Sequence, residues 1–401
     1  MKRLKFIIAL FLVAPLTVNA QKAELAQAKS ALKTGRDVEK VQKSLQQLLN
    51  NSEHRQNDKL WTTVYRLMQK RYDEGNEKLY LKQKYDTAAL FNVTKEMFDH
   101  LMTFDSIDAQ TNKEHGKAPK YRKKHAAELL NYRPNLFFGG TYFVKTANYA
   151  AAYDFFNLYL TCLDAPLFSK DADKEKDKQR EQQAAYWATF CGYKMMDADK
   201  TLKFANEAEK DTSKLSYTLQ YVAEAYKMKE DEIPYKETLI KGFNNYPKHS
   251  FFFPRIVDYY TQHQQADSAL VLANEALKVD SNNPLFLYAK STLLLNMGNN
   301  DECIKTSEQL ISLSDTIAAA YYNKGTALLN KALKLEQTNN SEQQKVKIKQ
   351  LYLKAMPCFE TYRQLKPDDQ QGWATALYRI YFNLNMGTKF DEIDNLLKKI
   401  K

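Results

Sequence analysis

The stretch SFFFPRIVDYYTQHQQADSALVLANEALKVDSNN, residues 250–283, carries the clearest fold signal in the chain. Its second half, from Asp267 to Lys278, has apolar residues at helical spacing and a lysine in the last turn, where helices favour a positive charge. Its first half spaces Phe253, Ile256 and Tyr260 by three and four residues, which also predicts a helix. We therefore expect two helices joined by a short turn.

The size pattern of this stretch recurs along the chain with a period of 34 residues. Small or medium residues occupy one position of the period, namely Thr189, Ala223, Val257, Ser291 and Gly325. Large residues occupy the position three further on, namely Tyr226, Tyr260, Leu294 and Leu328. Four units abut without a gap, at 182–215, 216–249, 250–283 and 284–317. A fixed period of this length predicts a repeat architecture.

The repeating residues resemble the tetratricopeptide pattern, in which each unit is a pair of antiparallel helices. In the family, small residues occupy the positions where the helices cross most closely. Val257, Ala269 and Ala276 stand at those positions in this chain. The resemblance implies an all-α fold, a right-handed α-solenoid of tetratricopeptide-type hairpins. Thr201 and Tyr235 depart from the pattern, because they stand where alanine is preferred. A generic helical bundle is the alternative.

Weaker units extend the array in both directions. A unit at 133–166 is separated from the next by a charged insert from Leu167 to Glu181. The segment 318–369 contains an insertion around residues 337–349, and a last unit covers 370–401. Residues 21–132 are interpreted as diverged N-terminal helical hairpins. The whole chain is similar to exported tetratricopeptide proteins of Bacteroidetes in short segments such as 76–83 and 132–137.

The first twenty residues have the layout of a signal peptide. A basic start precedes an apolar run from Phe6 to Leu16, and Val18 and Ala20 suit a cleavage site. We expect cleavage after Ala20 and an exported protein, periplasmic or otherwise extracytoplasmic, with no transmembrane anchor in the mature chain. An uncleaved N-terminal anchor helix is the alternative.

The charge pattern argues against a nucleic-acid partner. The net charge of +11 is modest for 401 residues, and basic residues alternate with acidic ones instead of forming a stripe. The four cysteines, Cys162, Cys191, Cys303 and Cys358, are far apart in sequence. We expect free thiols, although an oxidising compartment would permit a disulfide.

The sequence carries no recognisable catalytic motif. Phosphate-binding loops, dinucleotide fingerprints, zinc-protease helices and serine-nucleophile elbows are all absent. The six histidines are scattered without metal-ligand spacing. Gly139 and Gly140 fall inside a predicted helix, where they favour close packing over phosphate binding. We therefore expect no enzyme activity, no cofactor and no metal.

The resemblance also implies where a partner binds, because first helices of successive units line the concave groove in this family. Projecting that register onto the chain places eight candidates in the groove: Phe137, Tyr186, Phe190, Tyr193, Tyr217, Lys227, Tyr288 and Tyr322. Aromatic side chains of this kind bind peptides at low entropic cost. The alternative is that the rings pack between repeat units.

Two functions follow as hypotheses. The first is a non-enzymatic protein- or peptide-binding scaffold of the bacterial cell envelope. The second is a glycan-binding protein of an envelope uptake system, since sugar rings also stack on aromatic faces. The absence of a lipid-attachment cysteine after the signal segment weighs against the second hypothesis.

Overall fold

A computed structural model describes residues 22–114, 116–168, 177–338 and 341–400. These residues form helices joined by turns, and no strand occurs among them. The proposed signal peptide lies outside the described residues. Within them, no helix combines the length and apolar character needed to cross a bilayer.

The chain divides into two compact units, one ending at Tyr235 and the other beginning at Lys236. Unit 1 contains ten helices within its described residues: α1 (22–34), α2 (Val38–Leu49), α3 (Asp58–Tyr80), α4 (Thr87–Glu114), α5 (Arg122–Lys145), α6 (Tyr149–Thr161), α7 (Lys178–Lys194), α8 (Ala198–Lys203), α9 (Ala205–Ala208) and α10 (Leu215–Met228). A short 3₁₀ turn, Cys162–Asp164, follows α6.

Helix α11 (Glu232–Asn245) crosses the boundary at residue 235. Unit 2 continues with eight helices in its described part: α12 (Phe252–Gln262), α13 (Ala266–Val279), α14 (Pro284–Asn296), α15 (Asn300–Leu313), α16 (Ala318–Glu336), α17 (Glu342–Leu365), α18 (Gln370–Asn383) and α19 (Gly387–Ile400).

Within each unit, helices pack against their sequence neighbours and also against the first helix of the next hairpin. In unit 2 the alternate helices α14, α16 and α18 lie side by side, and each also contacts the helix that follows it. In unit 1 the same relation joins α5 to α7 and α7 to α10. Stacked hairpins of this kind bury a core that no single hairpin could close. The predicted fold class, an all-α solenoid of tetratricopeptide-type hairpins, is confirmed.

The small residues of the repeat lie at the predicted helix crossings. Ala269 and Ala276 of α13 are completely buried, and so are Cys303 of α15 and Ser291 of α14. Val257, the largest residue at its position, is only half-buried. The smallest side chains therefore occupy the repeat positions at which the helices pack most tightly.

Two consecutive glycines in the middle of α5 allow the next helix to pack closely against it. Gly139 and Gly140 are buried inside α5, where a Cβ on Gly139 would lie 2.8 Å from the Phe155 ring. A Cβ on Gly140 would lie 2.6 Å from the ring of Phe156. Both rings belong to α6, so the glycines let α6 approach α5, as the sequence predicted.

One unit departs from the simple hairpin. In the hairpin that begins with α7, the second helix is interrupted at Phe204. The backbone angles of Phe204, φ −115° and ψ 12°, separate α8 from α9. Thr201 stands where the pattern prefers alanine, and its hydroxyl donates back to the Asp197 carbonyl oxygen at 2.7 Å. Such back-bonding by threonine bends helices.

The insertion around residues 337–349 mainly lengthens helices. Helix α16 continues to Glu336, and α17 begins at Glu342 after a capping box formed by Ser341 and Gln344. The added turns are tied together by Tyr352, whose hydroxyl donates to Glu336 at 2.6 Å. Arg379 of α18 also pairs with Glu336 at 3.1 Å.

Candidate partner-binding surface

The eight predicted groove residues are divided between the two units. Six lie in unit 1 and two, Tyr288 and Tyr322, lie in unit 2. Each unit thus carries its own set of candidate side chains.

The unit 1 residues gather around a tyrosine that the sequence projection missed. Tyr221 of α10 stacks on Tyr193 of α7 with ring centroids 4.7 Å apart. Its ring also lies 5.7 Å from Phe190 and 6.3 Å from Tyr186. We call Tyr186, Phe190, Tyr193, Tyr217 and Tyr221 the tyrosine cluster. Tyr221 follows Tyr217 by one helical turn, so the four-residue spacing in the sequence could have indicated that both lie on the same side of α10.

The tyrosine cluster has a buried base and an accessible rim. Tyr186 and Tyr221 are only 7% and 8% exposed, whereas Tyr217 is 48% exposed. Phe190 and Tyr193 are half-buried. A ligand can therefore reach Tyr217, while the ring of Tyr186 belongs to the packing between helices, which was the alternative interpretation of its position.

Burial keeps the two tyrosines at the base of the cluster protonated, and one cation lies beside the rim. Burial raises the pKa of Tyr186 and of Tyr221 above the ordinary value, so both hydroxyls stay protonated and can donate hydrogen bonds. The Lys194 ammonium lies 5.5 Å from the centroid of Phe190 and 6.0 Å from that of Tyr193. Lys227, near the end of α10, is exposed.

Phe137, the remaining unit 1 candidate, lies in a different setting. Its ring is 5.8 Å from Phe156 and 5.9 Å from Tyr159, both on α6. The Arg180 guanidinium lies 5.9 Å from the centroid of the Phe137 ring. Phe137 is half-buried in this packing, so its ring is engaged mainly by its own hairpin.

The unit 2 candidates form a smaller aromatic set. Tyr322 lies 5.2 Å from Tyr362 and 6.2 Å from Phe359, while Tyr288 is 42% exposed. Burial and a hydrogen bond to Asp369 raise the pKa of Tyr362 to about 12. Tyr362 comes from α17, a second helix, whereas the family register places groove residues on first helices only.

Within the described residues, neither the cysteines nor the metal-binding side chains form a reactive-thiol or metal site. All four cysteines are free and buried, and burial raises the pKa of Cys162 to about 11 and that of Cys191 to about 12. Thiols of this kind are poor nucleophiles at neutral pH. No group of three or more histidine, cysteine or acidic side chains in the described segments is placed to hold a metal ion.

Comparison with known proteins gives structural likenesses only. No protein-family profile matches the chain, and no curated protein matches it by sequence. One similar solved structure is the C-terminal part of a TPR repeat-containing protein from Cytophaga hutchinsonii, with 14% identity, a TM-score of 0.44, and coverage of 64% of this chain and 92% of that one.

Two further solved structures are similar. A TPR repeats protein from Bacteroides fragilis has 16% identity, a TM-score of 0.32 and coverage of 66% of this chain and 98% of its own. YrrB, described as a TPR protein with an unusual peptide-binding site, has 16% identity, a TM-score of 0.36 and coverage of 50% of this chain and 96% of its own. The structural neighbours are thus TPR repeat proteins, two of them from the genera Cytophaga and Bacteroides.

Proposed function

We propose that this protein is a non-enzymatic protein- or peptide-binding scaffold of the bacterial cell envelope, and that the accessible rim of the tyrosine cluster in unit 1 contacts the partner. The observation that carries this proposal is the exposed ring of Tyr217, one helical turn before Tyr221 on α10, whose ring stacks on Tyr193. Half-exposed tyrosines on rigid helices offer apolar area and a polar tip at low entropic cost. Such residues are enriched at the energetic centres of interfaces.

The base and the rim of the cluster have different roles. Tyr186 and Tyr221 hold the base through packing, so they position the rim without touching the ligand. Phe190, Tyr193 and Tyr217 present the accessible surface. Lys194 adds positive charge at the edge, which favours a peptide with acidic residues next to an apolar anchor.

The domain organisation and location are part of the same proposal. The repeat boundaries rest on the 34-residue period. The envelope location rests on the basic, apolar and small-residue layout of the first twenty residues, with removal of that segment after Ala20. The exposed Tyr288 of α14, and Tyr322 of α16 with its neighbour Tyr362, provide a second contact set within unit 2.

Selection from a displayed peptide library tests the function even though the partner is unidentified. The wild-type chain should enrich a sequence motif, and Tyr217→Ala should weaken the best peptide by about thirtyfold, since truncating a central aromatic costs about 2 kcal/mol. Tyr80→Ala is the matched control, because Tyr80 is 84% exposed and lies at the end of α3.

Three results would count against the proposal. They are the absence of any enriched motif, equal affinities for wild type and Tyr217→Ala, and equal losses for Tyr217→Ala and Tyr80→Ala. A glycan array probed with the same three proteins addresses the alternative hypothesis. Binding there that depends on Tyr217, with no enriched peptide, would replace the peptide by a sugar.

A further inference from the structure

A cleft of about 720 Å³ opens on the hairpin formed by α18 and α19 in unit 2. Every described residue that lines it belongs to one of these two helices: Gln370, Gln371, Thr375 and Tyr378 on α18, and Asp394, Leu397 and Lys398 on α19. The α19 residues are spaced by three and four positions, so they share one face of that helix.

The repeat shows what covers this face in an earlier hairpin. Counted from the starts of their units, residues 284 and 370, three residues of the α14–α15 hairpin correspond to cleft residues: Thr292 to Tyr378, Glu308 to Asp394 and Ile311 to Leu397. Thr292 accepts a hydrogen bond from Asn323 at 3.0 Å, and Glu308 pairs with Lys324 at 2.9 Å. Ile311 packs against a buried cluster that includes Ala320. All three partners lie on α16, so this face of α14 and α15 is covered by the next hairpin.

The α16–α17 hairpin repeats the arrangement. Glu360 holds the same repeat position as Glu308 and Asp394. It accepts from the Tyr381 hydroxyl at 2.9 Å and pairs with Lys389 at 2.6 Å. Both partners belong to the hairpin of α18 and α19. An acidic residue at this position thus marks a surface that binds further helices.

The acid of the α18–α19 hairpin pairs within its own helix. Asp394 lies 2.6 Å from Lys398, whose side chain is 70% exposed. An exposed pair of this kind adds little stability, so both charges are available to a second molecule. The face therefore carries one acid and one base, four residues apart, beside the apolar side chains of Leu397 and Tyr378.

This arrangement of charges is complementary to itself. When two copies of α19 lie antiparallel about a twofold axis at the level of residue 396, Asp394 of each copy faces Lys398 of the other. The two Leu397 side chains then lie beside the axis. A surface that pairs with its own copy in this way is the requirement for an isologous dimer.

We propose that the face formed by α18 and α19 binds a second copy of this chain around a twofold axis. The second copy supplies the helices and the cation that the next hairpin supplies to Glu308 and Glu360. Burial of Leu397 and Tyr378 favours association, and the two reciprocal ion pairs fix its direction and register. The inference does not rest on the tyrosine cluster, which belongs to unit 1.

Sedimentation equilibrium of the full chain tests the dimer. We expect the wild type to show a monomer–dimer equilibrium in the micromolar range. Lys398→Glu should weaken the dimer by at least about tenfold, because it places two acids opposite each other at both ends of the interface. The double variant Asp394→Lys with Lys398→Glu restores opposite charges across the axis, so it should recover most of the wild-type affinity.

Lys43→Glu is the matched control. Lys43 is 67% exposed and pairs with Glu39, four residues earlier on α2, at 2.7 Å, so the variant changes the net charge and breaks the same kind of pair in unit 1. It should dimerise like the wild type. A wild type that stays monomeric up to about 500 µM, equal affinities for wild type and Lys398→Glu, equal losses for Lys398→Glu and Lys43→Glu, or a double variant no tighter than Lys398→Glu would each overturn the proposal.

Discussion

At the scale of single residues, Gly140 controls how closely α5 and α6 approach. We predict that Gly140→Ala destabilises the protein by about 1–3 kcal/mol, because the added methyl would overlap the buried Phe156 ring. The higher helix propensity of alanine recovers only about 1 kcal/mol. Urea denaturation measures the effect. Gly387→Ala is the control, since a Cβ at Gly387 meets no atom within 4 Å. Equal midpoints for the two variants would contradict the packing described for α5.

The register of the repeat can be tested at Ala269. We predict that Ala269→Leu costs about 1–3 kcal/mol in the free energy of unfolding, because Ala269 is completely buried at a helix crossing. Ala266→Leu should cost about 0.5 kcal/mol or less, because Ala266 is the half-buried first residue of the same helix. Chemical-denaturation midpoints that shift alike in both variants would show that the register is wrong.

At the scale of helices, α3 and α4 enclose a histidine that makes stability depend on pH. Burial depresses the folded-state pKa of His100 to about 4, below the unfolded value of about 6.5. The unfolded chain therefore binds the proton more readily, and stability is retained above about pH 6.5 and lost as pH falls toward 4. The loss amounts to about 3 kcal/mol on this account.

The measurement compares wild type with His100→Gln by urea denaturation at several pH values between about 7.5 and 4, the window in which the histidine titrates. Glutamine can still donate to the Trp61 carbonyl oxygen but does not titrate. We expect the wild-type free energy of unfolding to fall more steeply than that of the variant across this window. Carboxylates titrate in both proteins, so the difference between the two curves isolates His100. Parallel curves would refute the prediction.

Helices α5 and α7 are joined by a buried arginine. Arg133 of α5 pairs with Asp177 at 3.2 Å and with Glu181 at 2.8 Å, and its guanidinium lies 4.0 Å from the Tyr159 ring centroid. Its Nη2 also donates to the Tyr159 carbonyl oxygen at 3.2 Å. The charged insert from Leu167 to Glu181 therefore ends on a fixed contact at the start of α7.

We predict that Arg133→Met lowers the free energy of unfolding by about 1–3 kcal/mol, less than the cost of about 3–5 kcal/mol for breaking a fully buried ion pair, because both acids are partly exposed. Arg133→Lys should recover little, since an ammonium cannot form the planar fork. Thermal unfolding of both variants is the measurement. Arg36→Met, at an exposed position, should leave the melting temperature unchanged, and a drop of the same size there would discount the role of the ion pairs.

At the scale of the whole chain, each unit consists of hairpins that contact mainly their neighbours, so stability is built locally. Substitutions more than one hairpin apart, such as Gly140→Ala in unit 1 and Ala269→Leu in unit 2, should therefore have nearly additive effects. The double variant provides the measurement, and a coupling energy above about 1 kcal/mol would contradict local stabilisation.

The sequence by itself determined the helical class, the 34-residue period and the small residues at the crossings. These features are readable because helix periodicity and side-chain size act over a few residues and repeat from unit to unit. Ala269, Ala276 and Cys303 are accordingly buried where the pattern placed them.

Only the tertiary structure decided which aromatic and polar side chains are accessible. Tyr186 and Tyr217 have the same chemistry, but neighbouring helices cover the first and leave the second open. Tyr221 and Tyr362 joined the aromatic sets through contacts across helices. The Nε2 atom of His100 is hydrogen-bonded to the carbonyl oxygen of Trp61, 39 positions away in sequence. Accessibility and hydrogen bonding depend on groups that are distant in sequence. The 34-residue pattern of side-chain sizes contains no information about these long-range contacts.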